Sequence, residues 1–240
     1  MASVISPPDS TSPPATMSPS TVKSPQKTIP PSTTISPQKA LTPSSEIVRY
    51  RFTIKQYHEI IDGGVFAEDE PIELIRGEIV RKMPIGNPHA ATVKRLNRLF
   101  SNPLSAGTLL SIQDPISIED SEPEPDVAIL NFCDDLYASR RPVAQDVLLL
   151  IEVADSSLAY DRDVKGPIYA EAGVREYWIV NLMNSTVEVY RDPQSDGRFA
   201  TVTTAVSGAV LTPLLLSGLS VPVDEILALT QTQRADVRRT

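Results

Sequence analysis

Hydrophobic positions change period several times between residues 50 and 223, and each change marks an element. Tyr57, Ile60 and Ile61 share one side of a short helix over 54–62, with Thr53 placed to cap it and Gly63-Gly64 to end it. Ile72–Ile75 and Glu78–Arg81 flank Arg76-Gly77 and read as a hairpin. Ala90, Val93, Leu96, Leu99 and Phe100 recur at helical spacing, with Asn87-Pro88 as cap and first helical position and Lys94, Arg95 and Arg98 facing out. Strands are expected over 108–118, 125–131 and 146–153. The last of these contains the unbroken aliphatic run Val147–Ile151 of a buried strand.

Beyond that run, Tyr160–Glu171 reads as a helix stopped at Gly173. Glu176–Asn181 reads as a buried strand that turns at Asn184-Ser185 into the alternating Thr186–Tyr190. Phe199–Val206 and a last strand near Leu219–Val221 are expected to complete the sheet. The order predicts an α/β (α+β) domain: a mixed central β-sheet flanked by helices, with β-hairpins added at both ends.

Composition sets the N-terminal segment apart. The first 45 residues hold ten of the chain's 22 prolines and no aromatic residue. Proline recurs every six residues from Pro7 to Pro43, and Ser24-Pro-Gln-Lys27 returns as Ser36-Pro-Gln-Lys39. Most hexads lack the aliphatic residue that a β-helix rung needs, so residues 1–48 read as an extended, disordered tail. Residues 49–232 are then the folded domain and 233–240 a flexible C-terminus.

Charge and cysteine content narrow the classes. The first 45 residues carry +2, which leaves −10 for the remainder of a chain of net charge −8. That balance opposes strong nonspecific binding of polyanions but suits an enzyme that uses a cation to bring phosphate near its carboxylates. The single cysteine, Cys133, excludes an intramolecular disulfide. No signal-peptide pattern opens the sequence, and the apolar Val210–Val223 stretch is broken by Pro213, Gly218 and Pro222. A cytoplasmic protein is expected, with no membrane partner.

Three charges sit where a folded core would not by itself require charge. Asp126 opens one strand, Glu152 closes another, and Lys165 starts the following helix. Buried charge is costly unless paired or bound to metal. Asp126 and Glu152, on adjacent strands, can share Mg²⁺ with Lys165 orienting an attacking water; alternatively each is a solvent-touching strand end, and Lys165 pairs with Asp161 four residues earlier. Tyr169 is either core or a donor to Lys165. Glu73 is a further acidic candidate or a hairpin-edge charge, and His89 a phosphate contact, an auxiliary base or a surface residue. No zinc-ligand spacing, Gly-rich phosphate loop or Ser/His/Asp context appears.

Pro125-Asp126, Glu152-Val153, Asp161-Arg-Asp-Val-Lys165, Tyr169-Ala-Glu-Ala-Gly173-Val and Glu176-Tyr-Trp-Ile-Val, preceded by Glu73-Leu-Ile-Arg-Gly77-Glu-Ile-Val and Pro88-His89, resemble the Uma-type putative restriction endonuclease family. That family belongs to the PD-(D/E)XK nuclease superfamily, and the resemblance covers nearly all of residues 50–230. It implies a restriction-endonuclease-like core and hydrolysis of phosphodiester bonds, with DNA as substrate. It implies Asp126 and Glu152 as ligands of Mg²⁺ (Mn²⁺ as substitute) and Glu73 as a third acidic group. The superfamily lysine, two residues after the glutamate, is replaced here by Ala154, and its role is carried by Lys165. Gly166 departs from the aliphatic residue of many relatives, a change expected to loosen the helix start by up to about 1 kcal/mol. A homodimer is expected if both strands of a duplex are cut. The alternative is a catalytically inactive nuclease fold that serves as a nucleic-acid or protein interaction module.

Overall fold

The computed structural model describes residues 48–67, 69–104 and 106–228. The expected N-terminal tail and the flexible 233–240 lie outside the described residues, apart from residue 48 of the tail. The domain begins with α1 (Ile54–Asp62), where Thr53 and Gln56 form a reciprocal capping box. Tyr57 from this helix packs on Ile72 and Leu74, forming a small satellite core under the hairpin of β1 (Ile72–Ile75) and β2 (Glu78–Arg81). The two-residue turn, Arg76-Gly77, has positive φ at both residues, as the right-handed twist of a hairpin requires. A Cβ at Gly77 would lie 2.8 Å from that of Arg51, so the position also needs glycine for space.

Next come α2 (Asn87–Ser101), β3 (Thr108–Ile112), β4 (Val127–Asn131) and β5 (Val147–Ala154). A helical crossover follows, made of α3 (Leu158–Tyr160), a π turn (Asp161–Lys165) and α4 (Gly166–Glu171). β6 (Glu176–Asn181), β7 (Thr186–Pro193) and β8 (Phe199–Ala205) complete one six-stranded sheet in the order β3-β4-β5-β6-β7-β8. Only β5 and β6 are parallel within it, joined by the crossover; the other neighbours are antiparallel.

Strand alternation divides the core between the two faces of the sheet. Ile129, Ile151, Val153, Trp178 and Val180 pack against Val93, Leu96 and Phe100 of α2. Leu150, Tyr177 and Ile179 pack against Ile168 and Tyr169 of the crossover. Glu152, between Ile151 and Val153, therefore points to the crossover face. This is the mixed sheet flanked by helices that the hydrophobic pattern predicts.

Four boundaries differ from expectation. The strand expected to reach residue 118 stops at Ile112, because Gln113 adopts a left-handed φ of 56° and turns the chain out of register. Gly86, not Asn87, is the N-cap of α2, and it contributes no side-chain hydrogen bond. The crossover starts at Leu158, two residues early, and its π turn was not foreseen. The last strand does not join the central sheet: β9 (Val210–Leu211) and β10 (Val221–Pro222) pair as a separate ribbon before α5 (Val223–Leu227). Two-residue strands are too short to display a period. No helix among the described residues is long and apolar enough to cross a membrane.

Candidate active site

The register of the sheet sets two carboxylates side by side. Val127 pairs with Ile151, so the next pair outward is Asp126 with Glu152. Backbone amides lock both side chains: Asp126 N–H donates to Glu152 Oε2 at 3.2 Å, and Val153 N–H donates to Asp126 Oδ2 at 2.8 Å. His89, in the first turn of α2, sets Nε2 2.9 Å from Asp126 Oδ2. Its Nδ1 is buried without a partner among the described residues.

Lys165 reaches the same place from the last position of the π turn. Its Nζ donates to Glu152 Oε1 at 3.0 Å and to the Glu124 carbonyl at 3.4 Å, and lies 3.4 Å from Glu73 Oε2. Glu73, on β1, accepts from Glu124 N–H at 3.2 Å and from the Tyr160 hydroxyl at 3.1 Å. Tyr169 donates to Glu152 Oε1 at 2.9 Å. The tyrosine is thus both a core residue and a donor, but to the carboxylate and not to Lys165. Asp161 does not form the i,i+4 pair weighed as the alternative for Lys165; its carboxylate accepts from Ser157 Oγ at 2.6 Å while Lys165 turns to Glu152 and Glu73. A Cβ at Gly166 would lie 3.2 Å from the Asp161 carbonyl and 3.7 Å from the Tyr177 ring, so glycine lets the π turn close against β6.

Solvent cannot screen these charges. Relative exposure is 1% for Glu73, 8% for Asp126, 3% for Glu152, 3% for Asp161 and 5% for Lys165. Burial raises Glu152 well above the usual carboxylate range, and Asp161 and Asp126 add to the effect against the pull of Lys165. Burial likewise pushes Asp161 up to about 6. Burial works against the charged form of Lys165, but Glu152 and Glu73 outweigh it and hold the ammonium form. For His89 burial is again the largest influence; the hydrogen bond to Asp126 and its charge overcome it, and the imidazole is raised.

Four buried carboxylates thus face one lysine and one histidine, and the surplus negative charge is relieved by taking up a proton or a cation. Among the described residues no group of three or more His, Cys, Asp or Glu side chains forms a ready-made metal cage. Mg²⁺ does not need one, since it is commonly held by one or two carboxylates and keeps several waters. Asp126 Oδ1 and Glu152 Oε2 each accept one hydrogen bond from the protein, so each retains acceptor capacity. The donor set fits a hard divalent ion.

All five candidates, Asp126, Glu152, Lys165, Glu73 and His89, converge on one cluster. Sequence reasoning missed Gln113, which donates Nε2–H to Asp126 Oδ1 at 3.2 Å, and the supports Glu124 and Tyr160. Glu124 was legible as a charge inside Pro-Glu-Pro-Asp. Gln113 and Tyr160 carried no such mark in the sequence.

A mixed sheet with two carboxylates on adjacent strands, a lysine from the crossover between parallel strands, and flanking helices defines a nuclease-fold protein of the restriction-endonuclease-like class. The chain belongs to the Uma2 family, described as "Putative restriction endonuclease", whose model matches residues 54–224. Among solved structures it is similar to "a putative nuclease belonging to DUF820 from Anabaena variabilis ATCC 29413", at 18% identity and a TM-score of 0.57. That match covers 74% of this chain and 98% of the other, and it is a likeness of fold. No curated protein matches the chain.

Proposed function

We propose that this protein is a metal-dependent endonuclease that hydrolyses phosphodiester bonds in DNA, with Asp126 and Glu152 holding Mg²⁺, or Mn²⁺ in its place. The observation that carries the reading is the cross-strand carboxylate pair, tied by backbone amides and faced by a buried ammonium. The family description supports the nuclease class and DNA as substrate. A divalent ion at the pair would offset phosphate charge and make water a better nucleophile.

The remaining chemistry falls to this chain's own side chains. A water oxygen forms the new bond to phosphorus and gives up a proton to bulk solvent, while the bond to the leaving sugar oxygen breaks and that oxygen takes up a proton from solvent. Lys165 serves as a fixed ammonium that stabilises charge gathering on the phosphoryl oxygens and orients the water; it is no general base, because its neighbours hold its proton. Of its contacts, those to Glu73 and to the Glu124 carbonyl are the longer, at 3.4 Å, and are the ones to exchange for substrate. Glu152, which accepts from Lys165 at 3.0 Å, keeps the lysine in place, and the Tyr160 hydroxyl holds Glu73. His89 holds Asp126 Oδ2, and Oδ1 would be the oxygen with which Asp126 holds a cation.

The test is nicking of supercoiled plasmid by the purified full chain with Mg²⁺ or Mn²⁺. Asp126→Asn keeps the shape of the site and is expected to lower the rate at least 100-fold, as is Lys165→Ala where it folds. Wild-type protein that binds metal but cuts no single-stranded, double-stranded or structured nucleic acid would instead be an inactive interaction module. One such site cuts one strand, so a homodimer is proposed for double-strand cleavage, and sedimentation with and without DNA would reveal it.

A further inference from the structure

Gln113 sits where the strand pattern would place a simple cross-strand neighbour. Ile112 pairs with Val127, and Gln113 lies opposite Asp126, with its N–H donating to the Asp126 carbonyl at 3.2 Å. Its φ of 56° is a conformation that glycine or asparagine adopts far more readily. The side chain is exposed, yet its carboxamide is drawn back onto Asp126 Oδ1, at 3.2 Å. The other oxygen, Oδ2, is already taken by the Val153 amide and His89. Oδ1 is therefore the oxygen of Asp126 with capacity for a cation, and Gln113 stands beside it on the solvent side.

We infer that Gln113 is a ligand residue, supplying its side-chain carbonyl oxygen as the third protein oxygen of the divalent ion held by Asp126 and Glu152. This rests on the metal site proposed above. A half-turn of the terminal carboxamide torsion exchanges Nε2 for Oε1, which replaces a donor facing Oδ1 by an oxygen facing an ion beside it. Side-chain amide oxygens are ordinary ligands for hard cations. A neutral third oxygen also adds no charge to a cluster already rich in carboxylates. In the structure the same amide donates to Oδ1 and holds Asp126 in place.

Two variants separate the ligand role from a merely supporting hydrogen bond. Glutamine at 113 as a donor alone predicts that Gln113→Glu is as harmful as Gln113→Ala, because neither has an N–H to give. As an oxygen ligand it predicts the opposite order. Mn²⁺ binding to the full chain is measured by the loss of the free-ion electron paramagnetic resonance signal, with melting in EDTA as the folding control. Q113A is expected to bind at least fivefold more weakly than wild type, and Q113E as tightly or more tightly. Wild-type affinity in Q113A, or equal weakness in Q113A and Q113E, overturns the inference while leaving the Asp126–Glu152 site intact. Wild-type protein that binds no Mn²⁺ overturns both.

Discussion

Asp161 shows what the crowding of carboxylates costs a single residue. Its pKa of about 6 in the fold exceeds the ordinary 3.8, with burial the main cause. Between those values the folded chain holds the proton more tightly than the unfolded chain. Stability conferred by this group is therefore full below about pH 4, falls as pH rises to about 6, and stays reduced above. Asp161→Asn, which can still accept from Ser157, is expected to be more stable than wild type by about 2–3 kcal/mol at pH 7.5. The advantage should vanish below pH 4. Urea unfolding across that range checks it, and a variant no more stable at pH 7.5 would mean the carboxylate is not strained there. At this scale Glu152 was legible because it interrupts an aliphatic run and Asp126 because it opens one, while Lys165 was legible from its place in the motif order. Gln113 was not, since alternation through Ile112 simply reads onward as strand.

At the scale of elements, buried charge also fastens strands that have no part in the site. Glu176 opens β6 fully buried and accepts from the Trp178 indole at 2.9 Å, from Arg191 Nη2 of β7 at 2.6 Å, and from the Leu214 amide. Arg191→Ala strips that carboxylate of its cation and is expected to cost about 3 kcal/mol. Arg198→Ala, which removes an exposed pair with Asp196, should leave stability nearly unchanged. Equal losses in chemical denaturation would refute this account of the β6–β7 pairing. The long strands and α2 were readable from their periods. The ribbon of β9 and β10 and the π turn were not, because the first is too short for a pattern and the second differs from an α-helix only in which amide meets which carbonyl.

For the whole molecule, the cation is expected to act as a stabilising ligand as well as a reagent. At Mg²⁺ or Mn²⁺ concentrations 100 times the dissociation constant, mass action adds about 2.7 kcal/mol, or roughly 5–10 °C in melting temperature for a domain of this size. Asp126→Asn should abolish most of that rise. A melting temperature indifferent to both ions in wild type would argue against the site. The net charge of −8 makes a second expectation: phosphate contacts are few, so DNA affinity should fall only gently with added salt. A steep salt slope in binding assays would point to an extended basic surface instead.

The sequence by itself determined the order of elements, the apolar faces of the strands and α2, and the charges at Asp126 and Glu152 beside the aliphatic runs, because periodicity and burial cost act within a short stretch of chain. Motif order along residues 50–230 added the family. Only the tertiary structure decided which oxygen meets which donor. Glu73 meets the amide of Glu124 and the ammonium of Lys165, far away in sequence, while Asp161 leaves Lys165 for Ser157. Gln113 turns back onto Asp126 through one left-handed residue. Those pairings depend on register, on one backbone torsion and on chain segments folded over one another, none of which leaves a local trace in the sequence.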